Sequence, residues 1–166
     1  MPAFAALLDN AVLAWALLAC GLAQASKPMI QLLQHGRWHP AALVETGGMP
    51  SSHSALVTGA ATGIGLQNGF DDPLFAAACT LAFVVMYDAS GVRRAAGLQA
   101  ERLNALPQRS WGEQRFDRPL KSSLGHSHLE VLVGSLLGPA ITVLGMTYFG
   151  SPLQMAHTLQ LFVSLA

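Results

Sequence analysis

Three short clusters hold the residue types that phosphoryl transfer requires. They are Gly47 to Ser54, Tyr87 to Arg94 and Leu124 to Glu130. In such chemistry one imidazole attacks phosphorus and a second protonates the leaving oxygen, while cationic side chains and backbone N–H groups hold the phosphate oxygens. In the first cluster, Ser51 or Ser52 can cap a helix and Pro50 suits its start. The free N–H groups of such a start hold an anion, and His53 lies one turn further in. In the second cluster, Asp88 lies near the end of an apolar run, where an ionised group is costly and paired. Ser90 follows it, and Arg93 and Arg94 are placed either to fork onto phosphate or to pair with Asp88. In the third, His126 and Glu130 are four apart, which puts both on one face if the helix includes His126. A carboxylate on one imidazole nitrogen orients the other for attack or proton transfer. Each cluster also has a plainer reading: a capped helix, arginines at a helix C-terminus, a glutamate at an N-terminus. The spacing of His126 and His128 matches no common metal-ligand pattern, and no carboxylate cluster for Mg²⁺ is evident, so neither metal nor cofactor is expected.

The elements that must position these clusters are membrane helices. Of the 166 residues, 52% are hydrophobic and 11% charged, against about 25% charged in a soluble domain. Mean hydropathy is +0.41 and net charge is zero, so no basic field points to nucleic acid. Residues 4–26, 51–70, 73–92 and 128–149 are four apolar segments, each near the roughly 20 residues that cross a bilayer as a helix. Lys27-Pro28 is expected to end the first, which has no basic start and therefore reads as a retained span, not a signal peptide. Cys20 and Cys79 lie inside apolar runs and read as small core residues. Period-2 alternation is missing, which argues against a β-barrel. The expected fold is all-α: a polytopic membrane bundle of four transmembrane helices plus a short C-terminal apolar helix from Pro152, in one membrane-embedded domain over 1–166. The third helix is expected to run on past Arg94 through Glu101, and 107–119 reads as a flexible loop. Gly59 with Gly63, and Gly134 with Gly138, have the spacing that lets helices approach closely in lipid.

Threading four crossings puts 27–50 and 90–127 on one side. All nine Lys and Arg of the chain, Lys27, Arg37, Arg93, Arg94, Arg102, Arg109, Arg115, Arg118 and Lys121, fall there. The other side carries Asp9, Asp71 and Asp72. Basic excess marks the cytoplasm, so the N-terminus is expected outside and all three clusters at the cytoplasmic face.

The runs 47–55, 85–100 and 124–131 resemble the divergent branch of the type 2 phosphatidic acid phosphatases, also called the acid phosphatase/vanadium-dependent haloperoxidase-related family. The resemblance covers 10–138. The wider superfamily carries a Lys followed by an Arg-Pro, then a Pro-Ser-Gly-His, then a Ser-Arg followed by a His and an Asp. Lys27 and Arg37 resemble the first at longer spacing, with Trp38 in place of Pro. Pro50, Ser51, Ser52 and His53 resemble the second, with Ser52 for Gly. His126 and Glu130 resemble the His and Asp of the third, with Ser90 and Arg93 standing in for a Ser-Arg that is missing before His126. Ser127-His128 stands where the branch usually has Thr-Pro.

By that resemblance His126 is the nucleophile, His53 the general acid and Glu130 the group orienting His126. Lys27, Arg37, Arg93 and Arg94, with Ser51 and Ser52 of the second motif, hold phosphate, and Asp88 and Ser90 support them. A phosphohistidine intermediate without divalent metal follows. The implied partners are membrane lipids and a lipid phosphate substrate: phosphatidylglycerophosphate, phosphatidate or an isoprenyl diphosphate. Assembly as a homo-oligomer is left open. Two readings compete. A catalytically degenerate membrane protein with a structural or binding role would have its imidazoles far apart, and a haloperoxidase is disfavoured by a buried site at lipid level.

Overall fold

The computed structural model describes residues 3–36, 38–45, 47–106 and 119–165. Arg37, Thr46 and 107–118 lie outside the described residues, and with them the expected loop at 107–118 and its arginines. The described chain is helical: α1 (Ala3–Leu8), α2 (Ala11–His35), a 3-10 turn (Pro40–Leu43), α3 (Ser52–Asn68), α4 (Pro73–Ser90), α5 (Val92–Asn104), α6 (His128–Tyr148) and α7 (Pro152–Leu165). Among the described residues, three stretches, Ala11–Gln34, Pro73–Asn104 and His128–Tyr148, are long and apolar enough to cross a membrane. The segment expected as the second crossing, α3, has 17 residues and falls short of them in length.

Local chemistry sets most boundaries. The side chain of Ser51 caps α3, accepting from the Ser54 N–H, and Asp72 caps α4, accepting from Leu74 N–H with Pro73 at the first helical position. Ser127 and Glu130 form a capping box at the start of α6. Gly69 turns the chain at φ 106° between α3 and α4, a conformation that favours glycine.

Two expectations are corrected, and a third holds with a difference. The first apolar run is split: α1 stops at Leu8 and Asn10 caps α2, its Oδ1 accepting from Leu13 N–H at 2.9 Å. Lys27-Pro28 does not end that helix, which runs on to His35 and closes at Gly36. Pro28 removes one backbone bond, a loss membrane helices tolerate when neighbouring segments hold the helix. Here Gln24 Nε2 donates to the Leu43 carbonyl at 2.8 Å and Lys27 Nζ to the Glu45 carbonyl at 3.4 Å. The third helix does continue past Arg94, but through a break at Gly91, where φ −103° and ψ −86° interrupt it.

The interior is built from small residues. Ala16, Ala19, Ala23, Ala55 and Ala61 are buried, while Leu17, Leu81, Phe83, Val84, Leu132 and Leu136 face outward. Large apolar side chains outside and small ones at helix contacts suit a bundle solvated by lipid. Short α3 sits among α2, α4 and α6. A Cβ on Gly138 would overlap the Ala55 carbonyl and the Gly59 nitrogen, and one on Gly134 the Ser51 carbonyl, so these glycines are what let α6 lie on α3. At the end remote from the three clusters, Trp15 Nε1 donates to the Gly150 carbonyl at 2.8 Å, and Asp9 Oδ1 accepts from Leu153 N–H at 2.9 Å, tying α7 to the start of α2. Bonds from Ser151 and Leu153 hold the Asp9 carboxyl below its usual range.

Candidate active site

The α3–α6 crossing brings the first and third clusters together. Ser51 N–H donates to the Glu130 carbonyl at 3.0 Å, pinning the start of α3 to the start of α6. His126 N–H donates to the Ala89 carbonyl at 2.9 Å, pinning the third cluster to the end of α4. The result is a small cavity of about 40 Å³ lined by His53, Ala89, Arg93, Leu124, Gly125 and His126. Two imidazoles and a guanidinium, Arg93 lying 40 and His126 73 residues beyond His53 in sequence, thus share one space.

His126 is 3% exposed. Its Nδ1 lies 3.0 Å from Glu130 Oε2, and the same oxygen accepts from Ser127 N–H at 3.1 Å. An ionised carboxylate only accepts, so the pair assigns the ring proton to Nδ1 and leaves a lone pair on Nε2. That Nε2 is buried and has no hydrogen-bond partner among the described residues. The His126–Glu130 contact was expected from a shared helix face. It arises differently: His126 precedes α6, and Glu130 reaches back over the capping box to meet it. His53, in the first turn of α3, is exposed, and His128, the first residue of α6, also points away from the interior.

The cationic groups separate. Arg93 lines the cavity and its Nε donates to Asp88 Oδ2. Arg94 lines a different, more open groove of about 410 Å³ on the other side of His126, together with Gln31, Glu45, Ser127 and Glu130. Lys27 is 1% exposed. It forms no ion pair among the described residues, and Glu130, Glu45 and His53 stand within its electrostatic range. A buried ammonium whose one hydrogen-bond partner among the described residues is a carbonyl is short of the negative charge such a group ordinarily has beside it.

Ser51, Ser52 and Ser90 line neither space. Ser51 Oγ is fully buried and accepts from the Ser54 N–H at 3.3 Å and the Ser54 hydroxyl at 2.9 Å. Ser52 is buried, and the Ser90 hydroxyl donates to the Met86 carbonyl at 2.9 Å. Arg37 lies outside the described residues.

Residues 8–141 match the family described as the divergent PAP2 family. The chain belongs to that family. A similar protein is the uncharacterized membrane protein YuiD of Bacillus subtilis (strain 168), 38% identical, the match covering 86% of this chain and 98% of YuiD. No solved structure matches.

In this divergent PAP2 protein several residues beyond the motifs shape the site. Gln24 Nε2 reaches the carbonyls of Ala42, Leu43 and Glu45, fastening the turn above Lys27. Gly125, at φ 83°, passes so close to the Arg93–Arg94 backbone that a Cβ has no room. Its place directly before His126 was the one available signal. Gln24 offered none, because a glutamine in an apolar helix reads only as a polar interruption.

Proposed function

We propose that this divergent PAP2 protein hydrolyses a lipid phosphate monoester or diphosphate at the cytoplasmic face of the bilayer, through a phosphohistidine on His126. The observation that carries the reading is the buried Nε2 of His126, unpartnered while Glu130 holds Nδ1, in one cavity with His53 and Arg93. The Nε2 lone pair bonds to phosphorus as the ester P–O bond breaks. The leaving oxygen takes that electron pair and a proton from the His53 imidazolium. Water then attacks phosphorus, the N–P bond breaks with its electrons returning to Nε2, and His53 recovers a proton from the water. Arg93 and Lys27, with Arg37 and Arg94, balance the phosphate charge, a role for which Lys27 has no competing ion pair among the described residues. Asp88 sets Arg93 through its hydrogen bond. The cavity admits a phosphoryl group but little more, so the lipid alcohol sits at its mouth, where His53 is exposed.

Purified protein offered phosphatidate, phosphatidylglycerophosphate and an isoprenyl diphosphate is expected to release phosphate from at least one. Turnover is expected to persist in EDTA and to leave an acid-labile phosphoprotein on rapid quench. A second reading, phosphate-lipid binding without turnover, is favoured by the engagement of Arg93 with Asp88 and by the small cavity. Saturable binding of these lipids with no phosphate release from any of them would select it.

The reading includes four crossings, with α3 as the second, and an N-terminus outside the cell. It rests on the one-sided basic residues. Cysteine at Ser110, outside the described residues, in a chain lacking Cys20 and Cys79, is expected to resist impermeant thiol reagents until cells are broken. Labelling of intact cells would reverse the orientation.

A further inference from the structure

Between α4 and α6 the chain leaves the bundle as α5 and returns through 119–126, a stretch with no helix or strand of its own. The two run antiparallel in contact. At the far end Asn104 brackets Leu120: its Nδ2 donates to the Leu120 carbonyl at 2.8 Å, and Leu120 N–H donates to its Oδ1 at 2.9 Å. In the middle Gly97 is buried, and a Cβ there would stand 2.6 Å from the Leu124 carbonyl oxygen and 2.8 Å from that of Ser122. At the near end Gly125 lies on the Arg94 backbone, and the next residue, His126, bonds to Ala89. Gly97, buried Ala100 and Asn104 fall at i, i+3 and i+7, one stripe on α5.

We infer that α5 is a template that sets the position of the His126 imidazole, with Gly97 and Asn104 as positioning residues that touch neither substrate nor reacting atoms. The argument is one of constraint. A segment without a backbone ladder draws its position from its neighbours. Along 119–126 those neighbours include α5 at three points, Gly47 beside the carbonyls of Ser123 and Gly125, and Ala89 at the last. Asn104 is exposed and satisfies both polar groups of Leu120, the pairing that a strand partner would otherwise supply. Gly97 is small because the returning chain crosses it at carbonyl contact distance. A side chain there must lift Ser122 and Leu124 away from α5, and the displacement is passed on to His126 two residues later. The nitrogen that moves is the unpartnered Nε2, and misplacing a reacting atom by about 1 Å costs about 100-fold in rate.

The inference takes the His126 role from the proposed function, and its test separates the two. In the full chain with ¹⁵N-labelled histidine in lipid nanodiscs, the His126 ring nitrogens, assigned by their loss in His126→Asn, report its tautomer without any turnover. Asn104→Ala and Gly97→Val are expected to shift these resonances and leave those of His39 and His157 in place. Gln99→Ala, on the exposed side of the same helix, is expected to change nothing. Where lipid phosphate is turned over, Asn104→Ala is expected to lower kcat by about 10–100-fold with KM nearly unchanged, and Asn104→Asp, which keeps the acceptor for Leu120 N–H, to recover part of the loss. Unchanged His126 resonances in Asn104→Ala would overturn the template, whether or not the wild type turns over, and because Asn104 is exposed this variant serves even where Gly97→Val does not fold. Absence of wild-type turnover with shifted His126 resonances would overturn the phosphatase reading alone.

Discussion

His126→Ala is expected to remove turnover of a lipid phosphate by about 10⁴-fold or more, the scale seen when the nucleophile of a covalent mechanism is deleted. The size follows from what is lost: the group that forms the bond to phosphorus, not one that adjusts it. The protein is expected to insert and fold, because the backbone bond from residue 126 to Ala89 and the Ser127–Glu130 capping box do not use the imidazole. Phosphate and vanadate are expected to bind still, since Arg93 and Lys27 remain. His53→Ala should cost less on a substrate whose leaving group needs no proton. Glu130→Gln should fall between, keeping a hydrogen bond to Nδ1 but not the negative charge that stabilises the imidazolium. Steady-state release of phosphate and quench-trapped phosphoprotein measure both steps. Undiminished turnover by His126→Ala, in protein cleared of contaminating phosphatase, would move the attack to His128 or to water.

The parts of this molecule that depend on nearest neighbours were legible in the sequence. Pro50 and Ser51 mark the start of α3 by a dihedral preference and a hydrogen bond that act within a few residues. The glycine pairs of α3 and α6 were legible for the same reason: their spacing is a property of one helix face. What was not legible depends on a distant partner. Pro28 reads as a stop until Gln24 and Lys27 are seen bonded to the turn beyond. Arg93 and Arg94 read alike, each able to fork onto phosphate or to pair with Asp88, yet adjacent helical residues point about 100° apart; Arg93 takes the Asp88 pair, and the returning chain runs between the two. Asn104 carries no signal at all, because its partner Leu120 is fixed only once α5 and 119–126 lie together. The His126–Glu130 pair is the instructive case. The spacing of four identified the right contact on the ground of a shared helix face, whereas the structure makes it through a cap, so the residues were legible and their geometry was not.

Gly138→Leu is expected to destabilise the bundle or prevent its assembly, whereas Gly21→Leu is expected to be tolerated. Both glycines lie inside apolar helices, so helix propensity favours the substitution at both, by about 0.5–1 kcal/mol. Their surroundings decide the sign. A Cβ on Gly21 meets nothing within 4 Å and would point to lipid. A Cβ on Gly138 would fall on the Ala55 carbonyl oxygen, the Thr58 hydroxyl and the Gly59 nitrogen, and two of these three are backbone and cannot swing aside. The helices must then part, and overpacking of this kind costs about 1–3 kcal/mol even where side chains can adjust. Parting α3 from α6 also draws Ser51 from the Glu130 carbonyl, the bond that sets His53 opposite His126. Stability and site therefore fail together. In mild detergent Gly138→Leu is expected to lose the monodisperse folded species or to unfold about 5–10 °C below wild type, and any lipid phosphate turnover with it, while Gly21→Leu keeps both. Equal thermal stability of the two variants would show that α3 and α6 do not meet through this glycine.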